Sequence, residues 1–180
     1  MLDESLPVNL PDPGAPPLYH PARLWLYGVT QWRRLFGLNL SQIDALLFVG
    51  GEFRPSQWPA IHALGVRAVL SMQAEREDRF EGPPPEQVLR LPVEDFHAPT
   101  IAQLQAAVAF IATARANRRP VLVHCHAGVG RAALTASAYL MTQGLSRVAA
   151  FERIKRARPI VALNDVQRER LIEWEQLLAR

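Results

Sequence analysis

The sequence predicts an α/β fold in which a central, mainly parallel, twisted sheet is covered by helices on both faces. From residue 43 onward, short apolar runs alternate with longer segments of helical periodicity, as in strand–helix units. Glycine and proline separate most of these segments. A length of 180 residues, 49% of them hydrophobic and 21% charged, fits one globular domain with a sizeable core.

The first half of this pattern contains two predicted strands and one predicted helix. Residues 45–49 are apolar and precede a glycine pair, which predicts a buried strand that ends there. Residues 55–64 have the pattern of a helix, with Gly65 after its last turn. Residues 66–72 predict the next strand, and the charged and then proline-rich residues 73–86 predict a loop.

The second half is organised around a long amphipathic helix. This helix is predicted over residues 100–117, because apolar side chains recur on one face at Ile101, Leu104, Val108 and Ile111. The other predicted elements are strands at residues 88–91 and 121–124 and helices at residues 132–141, 146–156 and 165–178, the last of them capped by Asn164.

The N-terminal region differs from the rest of the chain. Residues 1–22 are rich in proline and short of periodicity, so we expect an extended arm that precedes a single domain over residues 23–180. Residues 23–40 mix aromatic side chains with arginines. Such a segment either packs its aromatic rings on the core or makes peripheral contact with an anionic membrane surface.

Composition and charge exclude several classes of protein. The single cysteine rules out an internal disulfide framework, and no apolar run approaches the roughly 20 residues of a transmembrane helix. The N-terminus does not resemble a secretory signal, so we expect a cytoplasmic protein, and we expect a monomer. No metal-ligand spacing or nucleic-acid-binding pattern occurs, whereas a net charge of +3 suits an anionic substrate.

The strongest functional signal is the run His-Cys-His-Ala-Gly-Val-Gly-Arg at residues 124–131, between a predicted strand and a predicted helix. A loop that leads into a helix directs backbone N–H groups at one point, where the helix dipole adds positive potential. We expect Gly128 and Gly130 to adopt backbone angles that let the loop curl around an anion. Arg131 would complete this site, and the same field would favour the reactive thiolate of Cys125.

This run resembles the signature loop, His-Cys-x5-Arg, of the cysteine-dependent protein tyrosine phosphatase superfamily. The best match is the compact dual-specificity branch, which includes lipid-phosphatase relatives, and it covers about residues 43–178. The resemblance implies the compact dual-specificity phosphatase fold and hydrolysis of phosphate monoesters through a phosphocysteine on Cys125, without a metal or other cofactor. It implies that the phosphate is held by Arg131 and by the loop residues His126, Ala127, Gly128, Val129 and Gly130.

The leaving oxygen of a phosphate ester needs a proton, and a carboxyl group on a loop is the usual donor. Asp95 lies 30 residues before Cys125 and is followed by Pro99 and a predicted helix, which is similar to the acid loop of the family. Glu94 is the second choice, and His97 would assist or orient the acid. Alternatively, Asp95 only interacts with solvent or caps the helix.

Three further residues bear on the mechanism. Ala132 stands where the family usually has Ser or Thr, whose hydroxyl is thought to stabilise the departing thiolate, so slow hydrolysis of the phosphocysteine is expected. Gln167 follows an Arg-Pro segment that is similar to one of the family, and in some members a glutamine there places the hydrolytic water. Alternatively, Gln167 is a surface residue of a first helical turn. His124 is predicted to support the site.

The substrate remains open at this stage. A phosphorylated protein, at tyrosine, serine or threonine, is the first choice. The five loop residues after Cys125 include no lysine, which argues against polyphosphoinositides but leaves a lipid monophosphate such as phosphatidylglycerophosphate as an alternative. A phosphate-binding pseudophosphatase is a further alternative because of Ala132, and a sulfurtransferase or arsenate reductase fits the spacing to Arg131 less well.

Overall fold

The protein is described here by a computed structural model that covers residues 37–180. The proline-rich arm of residues 1–22 and the aromatic and basic positions 23–36 lie outside these described residues. The described part contains a five-stranded sheet in the order β1-β2-β5-β3-β4. The strands are β1 Leu40–Asp44, β2 Leu47–Gly50, β3 Ala68–Gln73, β4 Gln87–Val93 and β5 Val121–His124.

The sheet is mainly parallel, as the sequence predicts. Strand β5 lies at its centre and pairs in parallel with β2 on one side and with β3 on the other, while β4 extends the parallel part beyond β3. Only β1 is antiparallel, against β2. Because the carboxyl ends of parallel strands share one edge, the loops after β2, β3, β4 and β5 can converge on one site at that edge.

Five α-helices follow or separate these strands in the described part of the chain. They are α1 Trp58–Ala63, α2 Ile101–Ala116, α3 Arg131–Thr142, α4 Arg147–Ala157 and α5 Asp165–Leu178. Within residues 37–180, no helix has the length and apolar character that crossing a membrane requires. Helices α2 and α5 begin at capping boxes formed by Thr100 with Gln103 and by Asn164 with Gln167. The side chains at these caps satisfy backbone N–H groups that a helix start leaves unpaired.

The two faces of the sheet are covered by different layers. Alternate residues of β5 separate the two cores: Val121 and Val123 face the larger core, whereas Leu122 faces the smaller one. The larger core is completed by the buried faces of α2, α3, α4 and α5. The smaller core contains Trp58 and Ile61 of α1. This confirms the prediction of helices on both faces.

The structure corrects three details of the predicted elements. Strand β1 was not predicted, because its side chains are only half-buried at a sheet edge and its pairing is irregular between Gln42 and Asp44. Strand β4 is longer than the predicted run at residues 88–91. The helix predicted from residue 55 begins as a 3-10 turn, Pro55–Gln57, and becomes α-helical at Trp58.

Candidate active site

The loop after β5 places Cys125 at the carboxyl end of the central strand. Cys125 is almost completely buried, with 2% of its surface exposed. Its Sγ accepts a hydrogen bond of 3.2 Å from the backbone N–H of Gly128. The sulfur is therefore the acceptor of a backbone N–H group from its own loop. The nucleophile predicted from the sequence thus lies within the curl of its own loop.

The carbonyl groups of this loop are turned away from the sulfur by hydrogen bonds on the outside. His126 O accepts from the backbone N–H of Glu52 at 2.9 Å, and Val129 O accepts from that of Ala162 at 3.2 Å. Arg158 is buried, and its Nε donates to Gly128 O at 2.6 Å. Since each trans peptide directs its N–H opposite to its C=O, these bonds turn the N–H groups of residues 127, 129 and 130 inward.

Asn39 extends this outer layer from the segment before β1. Its Nδ2 donates to Ala127 O at 3.4 Å, and its Oδ1 accepts 2.7 Å from Arg158 Nη2. Arg158 Nη2 also donates to Ala127 O at 3.2 Å. The Ala127 carbonyl is therefore held outward too, and the Gly128 N–H on the other side of that peptide meets the sulfur. The loop has the geometry of an anion-binding nest.

The two glycines of the loop are required for different reasons. Gly128 has φ of +69°, and a Cβ there would lie 2.4 Å from the backbone of Gly50. Gly130 has φ of −107°, so the prediction that it needs an unusual backbone angle is wrong. A Cβ on Gly130 would instead lie 2.6 Å from Oε1 of Gln167, whose side chain is buried. A side chain at position 130 would therefore have to displace the Gln167 amide group.

Arg131 is the first residue of α3, and its guanidinium is held mainly by Glu75. Nη1 donates to Glu75 Oε2 at 3.0 Å and to Val93 O at 2.6 Å, while Nη2 donates to Glu75 Oε1 at 2.8 Å. Hydrogen bonding to Arg131 lowers the pKa of Glu75 to about 2, against a smaller opposing effect of burial. Burial alone would lower the pKa of Arg131, but Glu75 and the charges of Cys125 and Asp95 raise it.

The structure brings Asp95 to the same arginine. Asp95 Oδ1 lies 3.0 Å from Arg131 Nη2, and its side chain is about half exposed. Glu94 is exposed and lies 3.9 Å from Nδ1 of His97. His97 Nδ1 also lies 3.0 Å from the backbone oxygen of Asp95. Of the two carboxyl groups considered from the sequence, Asp95 is therefore the one in contact with Arg131.

The segment around Asp95, residues 94–97, is attached to the start of α5, and we call it the acid loop. Asn164 Nδ2 donates to Phe96 O at 2.7 Å, and Gln167 Nε2 donates to His97 O at 3.1 Å. Phe96 has φ of +63° and is 76% exposed. Because a non-glycine residue rarely adopts this conformation, the bond from Asn164 helps to hold it. Gln167 contacts both this loop and Gly130, so it is not the surface glutamine considered as an alternative.

His124 lies on the opposite side of the strand end from the large core. It is buried, and its Nε2 is 2.8 Å from Oδ2 of Asp78. The other oxygen of Asp78 accepts 3.0 Å from Gln73 Nε2. The ring of Phe53 lies 5.3 Å from that of His124. These contacts fix the strand end immediately before Cys125, which is a supporting arrangement for the loop.

His126 is turned to a carboxylate at the edge of the loop. Its Nδ1 lies 2.8 Å from Glu52 Oε2, and Arg76 Nη1 lies 2.7 Å from the other oxygen, Oε1. Glu52 is mostly buried, with 19% of its side chain exposed, whereas 64% of the Arg76 side chain is exposed. Glu52 thus joins the loop after β2, the loop after β3 and the loop after β5.

The position after Arg131 contains no hydroxyl group. Ala132 is fully buried at the start of α3. The nearest hydroxyl groups along this helix are used elsewhere: Thr135 Oγ1 donates to Arg131 O at 2.9 Å, and Ser137 Oγ donates to Ala133 O at 2.8 Å. Neither hydroxyl replaces the missing one at residue 132.

Four residues of the site were missed by the sequence reasoning. Glu75 was placed only in a charged loop, and Asn39 and Glu52 were not considered; Arg158 was noted only as part of an Arg-Pro segment. None has a local signal, because each contacts a residue far along the chain, such as Arg131 at 56 positions from Glu75. The sequence offers one usable clue. A buried arginine such as Arg131 needs a carboxylate partner, and the loop at residues 73–86 is acidic.

The chain is similar to a known enzyme family over most of its length. Residues 47–177 match the family model for the catalytic domain of dual specificity phosphatases. The chain belongs to this family. Human dual specificity protein phosphatase 4 is 33% identical over 141 residues, which are 77% of this chain and 35% of that protein. Human dual specificity protein phosphatase 12 is 35% identical over 131 residues, which are 71% of this chain and 38% of that protein. The chain spans little more than a third of the length of these relatives.

Solved structures of the family share the fold. The crystal structure of PTPMT1 in complex with PI(5)P superposes with a TM-score of 0.70 at 27% identity, and covers 78% of this chain and 97% of that chain. Human DUSP28 superposes with a TM-score of 0.69 at 26% identity, and covers 79% of this chain and 96% of that chain. These similarities agree with the compact dual-specificity phosphatase fold predicted from the sequence.

Proposed function

We propose that the chain is a phosphatase that hydrolyses phosphate monoesters through a phosphocysteine on Cys125. The observation that carries this proposal is the loop itself: its carbonyl groups are bonded outward, while a buried thiol and a buried arginine lie at its two ends. A phosphate group placed in the curl would meet backbone N–H groups and the guanidinium of Arg131. Membership in the dual specificity phosphatase family supports the same activity.

In the first step, Cys125 Sγ attacks phosphorus, the S–P bond forms and the P–O bond to the leaving group breaks. Asp95 supplies the proton that the leaving oxygen needs. Asp95 is ion-paired with Arg131, and a bound phosphate dianion would compete for that arginine. Substrate binding therefore frees the Asp95 carboxyl group, which takes up a proton from solvent and donates it to the leaving oxygen in this step.

In the second step, water attacks phosphorus, the S–P bond breaks and inorganic phosphate leaves, with Asp95 accepting the proton of the water. Ala132 provides no hydroxyl to stabilise the departing thiolate, so we propose that this step limits turnover. The role of Gln167 in placing the water stays a prediction, and its amide group is hydrogen-bonded to the backbone of Asn164 and His97.

We propose a phosphorylated protein as the substrate, at tyrosine, serine or threonine, because the similar curated relatives are named dual specificity protein phosphatases. A lipid monophosphate is the alternative, and it is favoured by the similarity to PTPMT1, whose structure was solved with PI(5)P. A cytoplasmic location, a monomeric state and peripheral membrane contact stay predictions from the sequence.

The test is hydrolysis of p-nitrophenyl phosphate by the wild-type chain and by Cys125→Ser. We expect the variant to lose activity by about 10⁴-fold or more, because the hydroxyl is a far weaker nucleophile than the thiolate. A Cys125→Ser variant that kept wild-type activity would overturn the proposal. If the wild-type chain bound phosphopeptides but formed no product, the pseudophosphatase alternative would be supported instead.

A further inference from the structure

Glu52 contacts a histidine and an arginine at the edge of residues 125–131, which we call the phosphate-binding loop. One of its carboxylate oxygens contacts His126, the residue after Cys125, and the other contacts Arg76. Its backbone N–H also donates to His126 O. Glu52 is therefore fixed to the loop through both its backbone and its side chain, and its position does not depend on a substrate.

The guanidinium of Arg131, at the other end of the loop, is also paired with carboxylates. Arg131 is engaged by Glu75 and Asp95, and the charge of His126 also acts on Glu75. Because the pKa of Glu75 is lowered to about 2, that carboxylate stays ionised at neutral pH. Two carboxylates, Glu52 and Glu75, thus stand beside the place where one phosphate group is expected to bind.

We propose that Glu52 is a specificity-determining residue that makes the site accept an isolated phosphate group and reject a second anionic group beside it. The proposal rests on the proposed function and names its substrate class: phosphate monoesters without a neighbouring phosphate. The first phosphate is bound by loop N–H groups and Arg131. A second phosphate would meet His126 and Arg76 only where both already contact Glu52, and it would be repelled by the Glu52 carboxylate.

The same geometry predicts what removal of the charge does. Glu52→Gln keeps the size of the side chain and one acceptor oxygen but removes the negative charge. The negative charge that opposes a second anion beside the scissile phosphate would then be gone. The change should therefore improve binding of doubly phosphorylated ligands more than it improves binding of singly phosphorylated ligands.

The test measures binding in the Cys125→Ser background, which does not turn the ligand over. The two probes are a phosphotyrosine peptide and the same peptide with a phosphothreonine two residues before the phosphotyrosine, with dissociation constants measured by calorimetry. We expect Glu52→Gln to shift the ratio of the two constants by about tenfold in favour of the doubly phosphorylated peptide. A ratio within about twofold of the unsubstituted background would overturn the proposal.

Two further variants make the test independent of the stability of Glu52→Gln. Glu77→Gln is the matched control, because Glu77 has the same charge, lies one residue from Arg76 and is directed to Arg90 at 3.9 Å. It should leave the ratio unchanged. Arg76→Glu, at a mostly exposed position, should shift the ratio about tenfold against the doubly phosphorylated peptide. An unchanged ratio in Arg76→Glu would also overturn the proposal.

Failure of this proposal can be told from failure of the proposed function. Activity of the wild-type chain on p-nitrophenyl phosphate, and its loss in Cys125→Ser, test the function alone. Normal activity with an unchanged binding ratio overturns only the role of Glu52. Absence of activity and of binding to either peptide overturns both.

Discussion

The phosphate-binding loop and the acid loop lie side by side but are held in different ways. The carbonyls of residues 126–129 are bonded by groups on the outside, among them the buried side chain of Arg158. The acid loop is exposed, and it is held by two side chains of α5 and by the ion pair of Asp95 with Arg131. We expect the phosphate-binding loop to bind phosphate without rearrangement. We expect Asp95 of the acid loop to exchange Arg131 for another partner when a phosphate binds.

The largest effect should come from the acid loop. Asp95→Asn removes the proposed proton donor, so we expect kcat for an alkyl phosphate to fall by about 10³-fold, because its leaving oxygen depends on protonation. The loss should be much smaller for p-nitrophenyl phosphate, whose leaving group is stable as an anion. Glu94→Gln should change neither rate by more than about threefold.

The measurement for this prediction is kcat for both substrates in the two variants. Similar losses for both substrates in Asp95→Asn would show that Asp95 has a structural role only. A large loss in Glu94→Gln would indicate that Glu94, and not Asp95, is the proton donor.

A change behind the phosphate-binding loop tests the other half of the comparison. Arg158→Lys keeps the charge but removes the planar group that bonds Gly128 O and Ala127 O together. We expect kcat/KM to fall by about 10²-fold, since small displacements of a binding loop have effects of that size. Orthovanadate, which takes the place of the phosphate group, should bind more weakly to the same degree.

The control is Arg156→Lys, an exposed position in the last turn of α4, two residues before Arg158. It should leave kcat/KM and the vanadate constant unchanged. Wild-type vanadate binding in Arg158→Lys would show that the loop keeps its form without this support.

A smaller effect is expected where α5 holds the acid loop. Asn164→Ala removes the bond to Phe96 O and also the cap of α5. We expect a loss of about 1 kcal/mol in the free energy of unfolding from the cap. We also expect kcat to fall by about threefold to tenfold for the alkyl phosphate, without a change in vanadate binding. Equal losses in kcat and in vanadate affinity would contradict the separation of the two regions.

The smallest effect concerns the pH dependence of stability. The pKa of Glu75 is lowered from 4.5 to about 2 in the folded chain, chiefly by its hydrogen bonds to Arg131. A carboxyl group whose pKa is lower in the folded than in the unfolded chain stabilises the fold at pH values above the unfolded pKa. That contribution is lost as pH falls from about 4.5 to about 2. Melting temperatures over this range should fall less steeply in Glu75→Gln than in the wild-type chain. Parallel curves would show that the pair does not contribute.

The sequence predicted the parts of the molecule that carry a local pattern. Consecutive residues are enough to predict strand β5, helix α3 and the spacing of Cys125 and Arg131. The position of Asp95 before a capped helix is also visible in the local sequence. Strand β1 was not predicted, because an edge strand with half-buried side chains lacks the apolar run of a central strand.

The missed contacts depend on tertiary structure. Glu75, Glu52 and Asn39 meet the phosphate-binding loop only because parallel strands bring the ends of distant segments to one edge of the sheet. Gly130 shows the same limit: the sequence predicted a special backbone angle there, whereas the structure shows an ordinary φ and a close approach to Gln167 of α5.

The central claim is that Cys125 carries the phosphoryl group and that Ala132 makes its release slow. The most direct measurement is rapid-quench mass spectrometry of the wild-type chain during turnover of p-nitrophenyl phosphate, together with the nitrophenol burst. We expect a burst that approaches one equivalent, with one phosphoryl group on the peptide that contains Cys125. In Ala132→Ser we expect less trapped phosphoenzyme and faster steady-state turnover. Linear product formation without a phosphorylated Cys125 peptide, and no gain in Ala132→Ser, would contradict the account.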